Sequence, residues 1–222
     1  MAFEVPSLPA AAPLNPWLSI WIRPRATMRY ILNTDPKAYV FGLCFIGTLL
    51  ESLDRAAGRA IGDNIPFPFV LMLCAVFSLF GTLIGLEIGG RILRWVGGLL
   101  GGQGTLEGMK AALGWSSVPS LVGLLIWLPQ LVVLGPDLFT TDMPRIDANP
   151  MLAMLVLATS GFEILLSAWA FVIYIKCLAE AHQFSSWRAL GITLLIALPF
   201  VFIAACLIIG IGVLTLLGGR VA

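Results

Sequence analysis

Five long apolar segments dominate this sequence, and they constrain its fold more than any other feature. A helix needs about 20 residues to cross the roughly 30 Å hydrocarbon core of a bilayer, and each segment has about that length or more. The segments run approximately over residues 38–57, 67–100, 111–134, 151–179 and 187–217. With 59% hydrophobic and 11% charged residues, the chain is too apolar for a soluble domain. The sequence therefore predicts an all-α, polytopic membrane protein with five transmembrane helices.

The distribution of positive charge predicts how these spans are oriented, because the cytoplasmic flanks of membrane helices retain Lys and Arg. One side of the predicted spans holds most of the basic residues: Arg23, Arg25, Arg29, Lys37, Arg91, Arg94, Lys110, Lys176 and Arg188. The other side holds the rest: Arg55, Arg59, Arg145 and Arg220. We therefore expect the N-terminus in the cytoplasm and the C-terminus outside.

Residues 1–37 are expected to form a cytoplasmic or interfacial segment ahead of a membrane domain over residues 38–222. The stretch from Met1 to Pro13 contains Glu4 and prolines but no basic residue. A cleaved secretory signal would begin with a positive region followed by an apolar run. We therefore expect no cleaved signal here.

An amphipathic pattern follows within this N-terminal segment. Trp17 and Trp21 lie just before Arg23, and apolar residues then recur at helical spacing beside the next arginines. This pattern is typical of a helix at the membrane surface, with Trp at headgroup depth and Arg toward anionic lipid. A cap that packs on the helix bundle is compatible with the same pattern. The candidate contacts to lipid headgroups are Arg23, Arg25, Arg29 and Arg94.

Glu163 is the only charged residue between Ala148 and Ile175, a range that includes most of the fourth predicted span. A carboxylate at bilayer depth is costly unless it is protonated, paired or in contact with water. Ser160, Ser167 and Tyr174 share its helix face. This polar stripe indicates a proton- or cation-linked site or a groove for a polar headgroup. The alternative is a protonated or hydrogen-bonded Glu that holds two spans together.

Two charged pairs at i, i+4 spacing complete the candidate intramembrane polar site. Glu87 and Arg91 lie near the inner end of the second span, where they are expected to form an ion pair. The alternative is a contact between Arg91 and a lipid phosphate. Glu51 and Arg55 lie at the outer end of the first span. They either pair at the surface or turn inward with Glu163 to line a vestibule.

Small residues and prolines indicate how the spans pack. Gly81, Gly85 and Gly89 recur every four residues, a spacing that allows another helix to approach closely. The partner is either the first span or a second subunit. Pro119 and Pro199 each remove a helix hydrogen bond in the third and fifth spans, so they either shape the bundle or act as a gate.

The sequence lacks the residue patterns of common enzymes and metal proteins. It contains no HExxH, GxSxG or P-loop spacing, and its four cysteines and single histidine are not clustered. A net charge of +1 provides no basic excess for nucleic acid. We therefore expect no enzymatic activity, cofactor, metal or nucleic-acid partner. The expected contacts are membrane lipids and a second copy of the chain or another protein.

Two short turns give the chain an internal repeat. Residues 101–105 read Gly-Gly-Gln-Gly-Thr before the third span, and residues 182–186 read His-Gln-Phe-Ser-Ser before the fifth. Both turns follow a span that runs in the same direction, and a proline follows each turn. This arrangement predicts a parallel repeat around an axis along the membrane normal.

The five spans and these two turns, the second continuing as Trp187-Arg188-Ala189, resemble the Yip-domain family from Asn15 onward. These are the Rab- or Ypt-interacting membrane proteins, and the resemblance is to their prokaryotic branch. The eukaryotic members act in early secretory and Golgi traffic through prenylated Rab GTPases and membrane-shaping partners. This chain has a short N-terminal segment without their Asp-Leu-Tyr-Gly-Pro element, and Asn15-Pro16-Trp17 occupies the corresponding region. Rab GTPase binding is therefore not carried over.

The resemblance implies a multi-pass protein of a prokaryotic cytoplasmic membrane. The expected function is non-enzymatic organisation of membrane or partner proteins. The alternative is a small transporter or lipid-handling protein, with a polar route past Glu163 that includes Glu87 and Arg91. A scaffold would seal Glu163 against neighbouring helices, whereas a transporter needs a water-accessible cavity that reaches it.

Overall fold

The computed structural model describes residues 14–218, and every regular element in that range is helical. The all-helical prediction is therefore confirmed for this part of the chain. The expectation about Met1 to Pro13 and the position of Arg220 lie outside the described residues. The helices are α1 (Pro16–Ser19), α2 (Pro24–Thr34), α3 (Val40–Gly58), α4 (Phe67–Ile84), α5 (Gly90–Leu99), α6 (Leu106–Ser116), α7 (Pro119–Val133), α8 (Pro144–Asp147), α9 (Pro150–Ala181) and α10 (Ser186–Gly218). A π-helical turn, Gly85–Gly89, joins α4 to α5, and 3₁₀ turns occupy Ile61–Asp63 and Gly135–Phe139.

Four stretches of the described chain are helical, long and apolar enough to cross a membrane: Phe67–Leu99, Leu106–Val133, Pro150–Ala181 and Ser186–Ile203. They correspond to the second to fifth predicted spans. The first predicted span is also helical, as α3, but Glu51, Asp54 and Arg55 all lie within its 19 residues. These three charges make α3 too polar to qualify on composition alone.

The ends of the long helices follow local sequence signals. The Thr105 side chain caps α6 by accepting a hydrogen bond from the Gly108 amide at 3.1 Å. The Asn149 side chain caps α9 by accepting from the Met151 amide at 3.0 Å, and proline occupies the first helical position. Pro119 begins α7 after a break at Ser117, whereas Pro199 lies inside the continuous α10. The two prolines of the proposed repeat therefore act differently on their helices.

Two apolar cores lie at the two ends of the bundle. The core beside the turns of residues 101–105 and 182–185 joins α2, α5, α6, α9 and α10, and includes Met28, Met109, Trp115, Ile173, Leu178 and Ile192. The other core lies beside the loops between α3 and α4 and between α7 and α9, and includes Leu53, Val70, Trp127, Leu134, Phe139 and Ile146. Full burial of a side chain of this kind stabilises a fold by about 1.5–3 kcal/mol. Between the two cores the helices enclose cavities.

The N-terminal segment packs on the bundle through one face of α2. Pro24, Thr27, Met28 and Ile31 are buried there, and the segment contacts α9 and α6. Leu18 and Ile22 remain exposed, as expected of side chains that enter a membrane surface. The structure therefore supports the prediction that this segment packs on the helix bundle as a cap. Its exposed apolar side chains remain available for contact with the membrane surface.

Candidate functional site

A small, partly open cavity is lined by the carboxylate of Glu163 on α9. The cavity has a volume of about 280 Å³, and Asp54 of α3 and Ser160 of α9 also line it. The Trp127 indole donates to the Asp54 carboxylate at 3.1 Å. One Glu163 oxygen is enclosed and has no hydrogen-bond partner among the described residues. Among the described residues, no Lys, Arg or His lines this cavity, so its two carboxylates share it without a compensating cation.

A second cavity, of about 520 Å³, lies on the other side of Asp54, which lines both cavities. The second cavity is also lined by Glu51 of α3 and by Ser167 and Tyr174 of α9. The predicted stripe on α9 thus lies along two adjoining cavities, with Ser160 and Glu163 on one and Ser167 and Tyr174 on the other. Together they form a polar groove between α3 and α9.

The charged residues near the end of α3 adopt both predicted arrangements. Some pair at the surface, and others line the cavities. Arg55 forms an ion pair with Glu51, and both side chains remain more than half exposed. Glu51 nevertheless lines the second cavity, and Asp54 lines both. The residue of this cluster that lines both cavities is therefore Asp54.

Glu87 and Arg91 lie away from the two cavities. Arg91 forms an ion pair with Glu87 at 2.8 Å, and Lys110 of α6 forms a second one with the same carboxylate. Glu87 belongs to the π-helical turn, a distortion that is rare and often occurs at functional sites. The structure therefore places Glu87 in a link between α6 and the second span, and the polar groove is lined by other residues.

The predicted lipid-headgroup arginines divide into two groups. Arg25 and Arg29 form ion pairs with Glu180 of α9, at 3.4 Å and 2.6 Å. The bond to Glu180 raises the pKa of Arg29 above its ordinary value. Arg25 also donates to the Phe184 carbonyl at 2.5 Å. By contrast, Arg23 and Arg94 are exposed, and their side chains are free to contact headgroups.

The two turns of the proposed repeat contact each other. The Gln103 amide donates to the His182 carbonyl at 3.2 Å. The His182 ring is 1% exposed and stacks on Phe184, with ring centroids 5.0 Å apart. Glycines at positions 97, 102 and 104 surround it so closely that a Cβ on any of them would overlap a neighbour. We call this arrangement the His182 cradle.

Comparison with known proteins supports the sequence resemblance. A family model described as the Yip1 domain matches residues 18–217, which is nearly the whole chain. The chain belongs to the Yip1 family. No curated protein and no solved structure matches it at a significant level. The Yip1 match begins in α1 and ends in α10, so it includes the His182 cradle and all the helices that line the polar groove.

Several features of this Yip1 family member escaped sequence reasoning. The sequence predicts only an orientation role for Lys110, and it predicts no contact for Glu180. The spacing between Glu87 and Lys110 carries no helical periodicity, because the two residues lie on different helices. The three glycines near the two turns, at positions 97, 102 and 104, were the available signal for the His182 cradle, since a glycine-rich turn often marks a close approach.

Proposed function

We propose that this Yip1 family member is a non-enzymatic integral membrane protein that organises membrane or partner proteins. The observation that carries the proposal is the surface of α9. In its most apolar 18-residue window, none of the residues is buried inside the described part of the chain. A face that includes Leu157, Gly161, Ile164 and Ala168 is exposed and points away from the polar groove. Exposed small and apolar residues on a spanning helix suit a partner helix.

The proposal includes five spans. Contacts between α3 and α4 extend along both helices: Ser78 donates to the Thr48 carbonyl at 3.2 Å, and Cys74 donates to the Ser52 carbonyl at 3.6 Å. Because α4 begins a helix long enough to cross the membrane, a helix packed along it lies at the same depth. Its charges are accommodated by the Glu51–Arg55 ion pair and by the cavity around Asp54.

The proposed location is a prokaryotic cytoplasmic membrane, with the N-terminus in the cytoplasm and the C-terminus outside. The uneven distribution of Lys and Arg supports this orientation. The bundle end that carries α2 and the two turns also carries Arg25, Arg29, Arg94 and Arg188. This end would face the cytoplasm.

Site-specific photocrosslinking tests the organising role. A photoreactive amino acid at Ile164 is expected to form a discrete protein adduct in membranes, either with a second copy of the chain or with another membrane protein. The same label at Ile173, which is 0% exposed and packs inside the chain, is the matched control and should form none. Adducts to lipid alone at Ile164 would contradict the proposal, since the exposed face of α9 would then meet only the bilayer.

A second candidate, a small transporter or lipid-handling protein, is favoured by the polar groove alone. Asp54 and Glu163 share a cavity without a basic side chain, and two carboxylates at bilayer depth need a proton or a cation to balance them. Such a site is a minimum requirement for a proton- or cation-linked route.

Reconstituted protein separates this candidate from the scaffold. For a scaffold, we expect wild type and Glu163→Gln to show background ion flux and background lipid scrambling in vesicles. A transporter would show flux that Glu163→Gln and Asp54→Asn both reduce to background. Glu107→Gln is the matched control, because Glu107 is an exposed carboxylate paired with Lys37 outside the groove. Flux that depends on Glu163 but not on Glu107 would overturn the scaffold as the sole function.

A further inference from the structure

An open groove runs along the contact between α3 and α4, on the side of the chain that carries their connecting loop. Its volume is about 720 Å³, within the range of cavities that hold small ligands. Arg55 and Arg59 line its loop end, Phe77 lines its middle, and Gly81 and Gly85 line its deep end. At the positions where Gly81 and Gly85 would carry a Cβ, no atom of the described chain lies within 4 Å. The glycines therefore form an unfilled trough.

The walls of this groove suit hydrocarbon, although several hydroxyl groups lie along them. Ser78 donates to the Cys74 carbonyl at 2.5 Å. The Thr48 and Thr82 hydroxyls lie 2.7 Å apart in a further hydrogen bond. Because these hydroxyls are satisfied within the protein, an occupant has little need to offer polar atoms at this depth.

The loop end of the groove has the opposite chemistry. Arg55 pairs with Glu51, whereas Arg59 forms no ion pair among the described residues and is exposed. The groove mouth therefore carries one uncompensated guanidinium. Arg binds phosphate through several parallel N–H donors, so this end favours a phosphate group. The mouth lies beside the first turn of α4, where a spanning helix enters the headgroup layer.

The groove is longer than the hydrocarbon part of one leaflet, so it can hold the full length of an acyl chain in that leaflet. Its lining on α4 extends from Val70 to Gly85, about 22 Å at 1.5 Å per residue. One leaflet contributes about 15 Å of a 30 Å hydrocarbon core. We propose that the groove binds one glycerophospholipid, with its phosphate at Arg55 and Arg59 and one acyl chain over Gly81 and Gly85. This site is separate from the exposed face of α9, so it does not depend on the proposed organising role.

Native mass spectrometry of the detergent-solubilised full chain tests this lipid site, with phosphatidylglycerol as the probe. Wild type is expected to retain one phosphatidylglycerol, and to retain diacylglycerol, which lacks the phosphate, much more weakly. Arg59→Gln should weaken phosphatidylglycerol retention roughly tenfold, as expected for one charge-assisted contact. Gly85→Leu should weaken it by a similar factor, because the new side chain fills the trough.

Two matched controls make this result specific. Arg188→Gln removes an exposed arginine from the other end of the bundle, and Gly98→Leu fills an open position on α5, where no atom outside its own helix lies within 4 Å of the Cβ position. Both should retain phosphatidylglycerol like wild type. Equal retention by all five proteins would show only annular lipid and would overturn the proposal. A dimer that Gly85→Leu disrupts and that carries no lipid would overturn it too, because the occupant would then be a second copy. Arg59 is exposed, so its variant keeps the test valid even where Gly85→Leu does not fold.

Discussion

Gly97→Ala is expected to destabilise the protein by about 3 kcal/mol, the upper part of the range for an overpacked core. A methyl group at Gly97 would overlap the imidazole of His182. The ring cannot move aside, because Gly102 and Gly104 crowd its Nδ1 atom from other directions and Phe184 stacks on its face. The change should appear as a large decrease in the midpoint of thermal or denaturant unfolding in detergent.

The neighbouring residue provides a matched control for this prediction. Gly98 lies in the same helix, but no atom lies within 4 Å of the position of its Cβ. Gly98→Ala should therefore leave stability unchanged or raise it by up to about 1 kcal/mol, because alanine favours the helix. A Gly97→Ala variant as stable as Gly98→Ala would contradict the structure of the His182 cradle.

A double substitution separates steric overlap from any other effect of the methyl group. His182→Ala removes the ring that the new methyl group would meet. Adding Gly97→Ala to this background should cost far less than in wild type, with a coupling energy of about 2 kcal/mol. Additive effects would show that Gly97 tolerates no side chain for a reason unrelated to His182.

The helices of this protein were largely predictable from the sequence because the bilayer imposes their length. The apolar stretches predicted over residues 67–100 and 151–179 correspond closely to Phe67–Leu99 and Pro150–Ala181. The N-caps and prolines mark where helices begin, as Asn149 and Pro150 do for α9. These signals act within a few residues of the chain, so they can be recognised in the sequence without knowing the tertiary structure.

The contacts between helices could not be predicted in the same way. Whether Asp54 or Glu51 faces Glu163 depends on the rotation of α3 about its axis, and a rotation of about 100° separates consecutive residues. Likewise, Lys110 and Glu87 lie on different helices, so their ion pair depends on how α6 packs against the π-helical turn. The resemblance to the Yip-domain family supplied the fold and left the chemistry of these positions open.

Stability is expected to decrease as the pH falls from about 7 to 5, because of His182. Burial lowers the pKa of this ring below its ordinary value of 6.5, and the nearby Leu93 backbone only partly offsets the effect. Below pH 6.5 the unfolded chain therefore binds a proton that the folded chain does not. The free energy of unfolding is therefore highest above pH 6.5. Below that pH it decreases by up to about 1.4 kcal/mol per pH unit, until the ring of the folded protein also binds a proton.

Unfolding midpoints measured from pH 8 to pH 5 check this prediction, with His182→Asn as the comparison. His182 is the only histidine of the chain, so the variant should lose most of the pH dependence in this range even if it is less stable throughout. The lowered pKa of Asp63, caused by hydrogen bonds from Thr141, affects stability only at more acidic pH. If the unfolding midpoint changes equally with pH in wild type and in His182→Asn, the prediction is wrong. The His182 cradle would then accept a proton without opening, and the buried ring would not couple pH to the contact between the two turns.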